Sequence, residues 1–216
     1  MKGLARIRSA AEAKPFVKEL AKAEADGCEV THLAFLYPTG LALPAELVVK
    51  SGSQPTEAVV SVGRNGRTNA FENVRADLEA GKAVLVADLT GLGSIGEGRY
   101  TFYGAKSRPE EGTSVMLYLM GESMVGRRAT DLLVLADWLK RRGFASVSVV
   151  AAEDAAIAAA HAFAAEPGAI AAVRTVDPAA PWADAYAQEK DRKRSLYYTD
   201  VVNGALNHYD WVDLLK

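Results

Sequence analysis

The sequence predicts an α/β fold, a mostly parallel sheet layered between helices with an antiparallel hairpin at its N-terminal edge. Three short β-branched runs, EAVVSVG from Glu57, KAVLVAD from Lys82 and ASVSVV from Ala145, alternate with stretches of helical period. Strands separated in this way need crossover connections and therefore run parallel. Ahead of them, VTHLAFLY from Val30 and LPAELVVK from Leu43 flank Pro38-Thr39-Gly40, which reads as two antiparallel strands joined by a turn.

In chain order, Ser9-Ala-Ala-Glu12 has the spacing of a capping box. Phe16, Val17, Leu20 and Ala21 then predict one face of a short helix ending near Gly27, so residues 1–27 are expected to be a helical segment packed on the domain. After the edge hairpin and the loop SGSQPT, the elements expected are the strand at Glu57, a helix from Thr68 to Ala80 and the strand at Lys82. A long helical region follows from Ser114 to Arg142, opening with an irregular turn, then the strand at Ala145 and an alanine-rich helix from Ala155 to Ala165. A fourth parallel strand is expected over AIAAVRTV from Ala169, then a polar helix from Pro181 to Lys193 and an aromatic tail carrying Tyr197, Tyr198, Tyr209 and Trp211.

Length and composition place the chain among ordinary globular domains: 216 residues, half of them hydrophobic and 24% charged, suit a single domain over 1–216. A net charge of -2 gives no electrostatic reason to expect nucleic acid or an anionic membrane as partner. The basic cluster Lys190, Arg192, Lys193, Arg194 reads as a solvated helix face. One cysteine, Cys28, cannot form an internal disulfide, and no Cys/His spacing resembles a zinc site, so neither metal nor cofactor is expected. No run of about eighteen apolar residues is present, as a membrane span would require. The N-terminus lacks a signal-peptide core, which is compatible with a domain excised from a longer secreted protein.

Several motifs invite chemistry. Gly91-Leu-Gly93-Ser-Ile-Gly96 follows a strand and fits the dinucleotide fingerprint, but the residues after it show no helical period, and the mechanism needs a helix N-terminus there. The glycines read better as a wide loop. Gly121-Glu-Ser123-Met-Val-Gly126 is one residue too long for a nucleophile elbow and lies inside a helical pattern. Arg64-Asn65-Gly66-Arg67 could hold an anion, although Asn-Gly is also a common turn. The turn after SVSVV is Ala151-Ala-Glu153-Asp154-Ala155, strand to turn to helix, the layout in which a hydrolase presents its nucleophile. Asp154, Asp177 and His208 would preserve the order nucleophile, acid, base, but no strand separates the last two.

Taken together, AVLVADLTGLGSIGEG, YLMGESMVGRRATDLLVLADWLKRRG, the turn at 151–155 and VNGALNHYDWVDLL resemble the α/β-hydrolase proteins of the acetyl xylan esterase type, from about residue 31 to the C-terminus. The resemblance implies a three-layer α/β-hydrolase-like sandwich, a serine at the turn after SVSVV, an acid and a histidine after later strands, and deacetylation of plant polysaccharide. This chain departs from that pattern. Glu153 fills the serine slot, alanines replace both elbow glycines, and the chain ends soon after the HYDW stretch. The reading is therefore a non-catalytic α/β-hydrolase-like domain, a companion or C-terminal domain of an acetyl-xylan-esterase-like protein. Two alternatives are an active ester hydrolase using Ser123 or Asp154 and a nucleotide-binding protein using Gly91 to Gly96. The turn is expected to present Glu153 and Asp154 to solvent rather than to a histidine. An apolar edge at AIAAVRTV is expected to be covered partly by the tail and partly by a second copy or a companion hydrolase domain.

Overall fold

The structure, a computed structural model, describes residues 1–95, 110–189 and 198–216. The described strands are β1 (Phe16–Ala25), β2 (Cys28–Leu36), β3 (Ala42–Lys50), β4 (Glu57–Val62), β5 (Ala83–Ala87), β6 (Ser146–Ala152) and β7 (Val173–Val176). They form a sheet in the order β1-β2-β3-β5-β4-β6-β7. β5, β4, β6 and β7 are mutually parallel, while β1, β2 and β3 form an antiparallel meander that joins the parallel half through β3 and β5. The described helices are α1 (Lys2–Ala5), α2 (Ala10–Ala13), α3 (Arg67–Ala70), α4 (Arg75–Glu79), α5 (Glu110–Leu119), α6 (Met124–Arg141), α7 (Ala155–Ala165) and α8 (Trp182–Glu189).

Alternation along the central strands builds three layers. Ala58, Val60 and Val62 of β4, Ala83, Leu85 and Ala87 of β5, and Val147, Val149 and Ala151 of β6 join the larger apolar cluster with α6 and α7. Val59, Val84, Val86 and Val150 point the other way, onto Ala70, Val74 and Leu78 from the α3 and α4 region. Both faces of these strands are thus dry, which is why they read as continuous apolar runs. α7 is buried at every position from Ala155 to Ala162, and only small side chains let one helix lie this close to its neighbours. Gly126 has the same role on α6, where a Cβ would collide with the carbonyl oxygen of Ala5 in α1.

Four expectations are corrected. Residues 16–25 are not a helix but β1, and the edge is one strand wider than a hairpin. Asp26 and Gly27 have φ of 49° and 71°, the pair of positive values that a two-residue hairpin turn demands, and Asp-Gly is a sequence well suited to it. The helix expected over 68–80 is divided into α3, a 3-10 turn at Glu72–Val74 and α4. The long helical region is α5 and α6, separated at Gly121 (φ 74°) and restarted by Ser123, so Ser123 caps a helix rather than lying inside one. The fourth parallel strand shrinks to the four residues of β7, and Arg174 on it donates to the Asp77 carboxylate at 2.8 Å. A short strand carrying a charge is a protected edge. The capping box at Ser9 and Glu12 is present as expected, although α2 is only one turn long.

The tail lies over α7 rather than along β7. Trp211 and Trp182 are buried in the larger cluster, and Asp210 accepts from the backbone amides of Trp182 (2.9 Å), Ala183 (2.8 Å) and Trp211 (2.7 Å), pinning α8 to the last turn of the chain. Tyr197 and the cluster Lys190, Arg192, Lys193, Arg194 lie outside the described residues, as does the segment beginning at Gly96. No described helix is long and apolar enough to cross a membrane.

Phe35 joins the antiparallel edge to α6: it is fully buried and meets the Trp138 ring edge-on at 5.4 Å. Phe35→Ala is expected to cost about 3–5 kcal/mol, read as a lower midpoint in urea denaturation, whereas Phe16→Ala on exposed β1 should shift it by less than about 0.5 kcal/mol.

Candidate functional site

In open α/β sheets, ligands bind beyond the carboxyl ends of the strands, where neighbouring connections leave for opposite faces. Here that point lies between β4 and β6: the β4 connection runs to α3 on one face, and the β6 connection runs to α7 on the other. A crevice of about 160 Å³ opens there, lined by Arg64, Asn65, Asn69, Asn73, Glu153 and Asp177 among others.

The turn between β6 and α7 is tight. Glu153 has φ 56°, a left-handed conformation that is rare for a residue with a side chain, and Asp154 follows it directly as the N-cap of α7. Glu153 is 44% exposed at its side chain and lies 3.8 Å from the Arg64 guanidinium. Asp154 behaves differently from expectation. It is not turned to solvent but 5% exposed, hydrogen-bonded to Arg64 and 3.9 Å from Arg128. The reason lies on α6. Arg128 is 1% exposed, and a buried guanidinium requires carboxylates and carbonyls around it. Besides Asp154 it has Asp200 at 3.5 Å and donates to the Thr90 carbonyl at 2.9 Å.

The second arginine of the β4 loop is also taken up by this chain. Arg67 pairs with Glu46 at 2.7 Å, and its backbone amide donates to Asp88 at 2.9 Å. Asp88, at the end of β5, also accepts from Ser94. A Cβ on either Gly66 or Gly93 would strike this carboxylate and the other glycine's backbone, so Gly93 has a packing reason within the apparent dinucleotide motif. Gly93 begins a one-turn 3-10 segment, Gly93–Ile95, and Gly96 lies outside the described residues.

The remaining sequence candidates are dispersed. The Ser123 hydroxyl donates to the Ala5 carbonyl at 2.9 Å and accepts from the Gly126 amide at 2.9 Å, which occupies it as a cap. Asp177, also left-handed at φ 43°, lines the crevice with Glu153. His208 is exposed on the tail. His32 sits 3.5 Å from Glu46. The buried histidine is His161, whose Nδ1 donates to the Ile157 carbonyl at 2.7 Å, leaving Nε2 to accept from the Tyr209 hydroxyl at 3.1 Å. No described residues form a cluster of three or more histidine, cysteine or acidic groups able to hold a metal.

Sequence reasoning missed the polar groups buried around α6. Asp131 on α6 accepts from the Tyr37 hydroxyl (2.9 Å) and from the Thr90 amide (2.9 Å) and hydroxyl (2.7 Å), tying the β2–β3 turn and the loop after β5 to α6. Burial pushes its carboxyl up to about 6 even against these hydrogen bonds, and burial beside Asp131 raises the Tyr37 phenol. Burial pushes the His161 imidazole down to about 4. A polar residue in the middle of a buried helix is the one signal that could have pointed to Asp131 and Arg128.

No protein-family profile matches the chain, and no curated protein matches its sequence. Solved structures do. A candidate acetyl xylan esterase from Bacteroides fragilis NCTC 9343 superposes with a TM-score of 0.74 at 12% identity, covering 99% of this chain and 61% of its own. The acetyl xylan esterase from Paenibacillus sp. R4 gives 0.63 at 16% identity, covering 96% and 65%. Acetyl xylan esterase 1 from Thermoanaerobacterium sp. JW/SL YS485 gives 0.60 at 16% identity with the same coverage, 96% and 65%. The chain has the α/β-hydrolase-like fold of these proteins, and it spans less than two thirds of their length.

Two outcomes follow from the buried charges. Asp154→Ala strips one carboxylate from a buried guanidinium and is expected to cost about 3–5 kcal/mol in chemical denaturation. The second concerns pH. The raised Asp131 destabilises the fold once ionised, so its contribution is full below about 3.8 and lost as pH rises through about 6; the lowered His161 stabilises the fold while neutral, with stability lost as pH falls from about 6.5 through about 4. The two slopes oppose one another between about pH 4 and 6, each at most about 1.4 kcal/mol per pH unit. Asp131→Asn should therefore make Tm climb more steeply with pH across that window than in the parent, and His161→Gln should tilt it the other way. Parallel Tm curves for all three proteins would contradict this assignment.

Proposed function

We propose that the chain is a non-catalytic α/β-hydrolase-like domain, a companion or C-terminal domain of an acetyl-xylan-esterase-like protein with an interaction or scaffold role. The observation that carries this reading is the strand-to-helix turn itself. The left-handed position that displays a nucleophile in such a fold is filled by Glu153 beside Arg64, and the adjacent Asp154 is committed to Arg64 and Arg128. Nucleophilic catalysis needs a hydroxyl, thiol or free carboxylate with a base in reach. Of the three histidines, His161 is held by Ile157 and Tyr209, His32 lies beside Glu46, and His208 is exposed on the tail. Ser123 is engaged in capping, which argues against the alternative in which it attacks an ester.

An interaction role is supported by α5 and the residue after it, where Met116, Leu119 and Met120 are 55%, 72% and 72% exposed, a grouping of large apolar side chains that is uncommon on an isolated domain. A companion hydrolase domain or a second copy would meet such a surface.

Turnover of p-nitrophenyl acetate by the purified chain is expected to equal the buffer background, and Glu153→Ser is expected not to raise it, because a hydroxyl without a base is a weak nucleophile. Saturable turnover by the parent chain, abolished by Ser123→Ala or Asp154→Asn in a variant that still folds by circular dichroism, would overturn the non-catalytic reading. Light scattering across micromolar concentrations tests self-association separately.

A further inference from the structure

Two hollows meet at the N-terminal end of α6, and neither shares a residue with the crevice between β4 and β6. The larger, about 1050 Å³, is walled by apolar groups including Leu4, Val115, Tyr118 and Val201. It is at the upper end of the size of small-molecule sites, roughly 300–1,000 Å³. The smaller, about 170 Å³, is bordered by Arg8, Lys14 and Arg127. Arg6 and Glu122 line both.

The charges around the smaller hollow do not balance. Among the described residues that line it, Arg6, Arg8, Lys14 and Arg127 face two carboxylates, Glu12 and Glu122, in a chain whose net charge is -2. Both carboxylates are already engaged. Glu122 accepts from Arg8 at 2.7 Å and from Arg127 at 2.9 Å, while Glu12 accepts from the Ser9 amide and hydroxyl at 2.8 Å each. The Arg6 and Lys14 side chains have no hydrogen-bond or ion-pair partner among the described residues. Each follows a one-turn helix in a left-handed conformation, at φ 57° and 48°. The unmatched guanidinium of Arg6 therefore stands on the wall between an apolar hollow and a cationic one.

We propose that this pair of hollows binds an alkyl carboxylate, with the chain in the larger hollow and the head group against Arg6, assisted by Lys14. A guanidinium presents a planar fork that matches a carboxylate, and the ammonium adds charge without directional demand. Both cations are exposed, so the head group supplies selection and the chain supplies most of the affinity. Burial of each methylene strengthens binding about fourfold. The site stands whether or not the crevice at the strand ends is catalytic.

Isothermal titration with octanoate, decanoate and dodecanoate, each below its micelle concentration, tests this directly. Saturable binding is expected, tightening by roughly fifteenfold for each added pair of methylenes, and weakening as salt is raised. The double variant R6Q/K14Q should lose at least about tenfold for decanoate while binding decanol as the parent does, and Tyr118→Asp should weaken both ligands. All three substitutions fall on exposed side chains, and unchanged Tm values without ligand confirm that the fold is kept. Absence of saturable dodecanoate binding, equal affinity across the chain lengths, or decanoate affinity indifferent to R6Q/K14Q would each overturn the proposal.

Discussion

A guanidinium buried to 1% exposure is the constraint around which the parallel half of this molecule is arranged. Arg128 cannot be neutralised by losing a proton, so its charge must be met inside the protein. The partners come from three separate parts of the chain: Asp154 from the turn after β6, Asp200 from the tail, and the Thr90 carbonyl from the loop after β5. Arg64 enters from the β4 loop and closes on the same Asp154. The strand ends are thereby tied together by ion pairs, with Asp154 turned inward onto the two arginines while Glu153 stays half exposed beside Arg64.

The same arithmetic explains why the fold was more legible than the site. Strands β4, β5 and β6 are dry on both faces, and a dry strand advertises itself as an apolar run. α7 advertises itself through alanine, because close packing on its surroundings selects small side chains. β1 has no such signature: nearly every residue in it is exposed, so Phe16, Val17, Leu20 and Ala21 mimic a helical face while backbone pairing with β2 decides the conformation. The legible signal was not in the strand but at its end, in Asp26-Gly27. The break between α5 and α6 was likewise written in Gly121 and in Ser123, read as lying inside one long helical pattern when they are a stop and a cap.

At the site, the position of the turn could be read, and so could the identity of its carboxylates. Their orientation could not, because it depends on Arg128, 26 residues upstream of Asp154 in the chain, and on Asp200 beyond α8. Charge pairs at long sequence separation leave no spacing pattern. Asp131 and its partners Tyr37 and Thr90 are hidden for the same reason, although an acidic residue on a helix buried along most of its length is a hint that something must satisfy it. His208, which drew attention by lying late in the chain, gives way to its neighbours: Tyr209 holds His161, and Asp210 holds two backbone segments together.

The N-terminal half of α6 thus faces two opposite electrostatic situations. Near its middle, Arg128 is matched by carboxylates, and Asp131 is matched by hydroxyl and amide donors, so the buried charges are internally satisfied and serve to hold loops in place. At its N-terminus Glu122 is shared between Arg8 and Arg127, and among the described residues of the hollow cations outnumber acids. A protein gains nothing structurally from unmatched positive charge beside an apolar hollow, since like charges repel and apolar surface is better covered. Charge satisfied inside and charge left over at the rim are the physical difference between a region that maintains the fold and one that is available to a ligand.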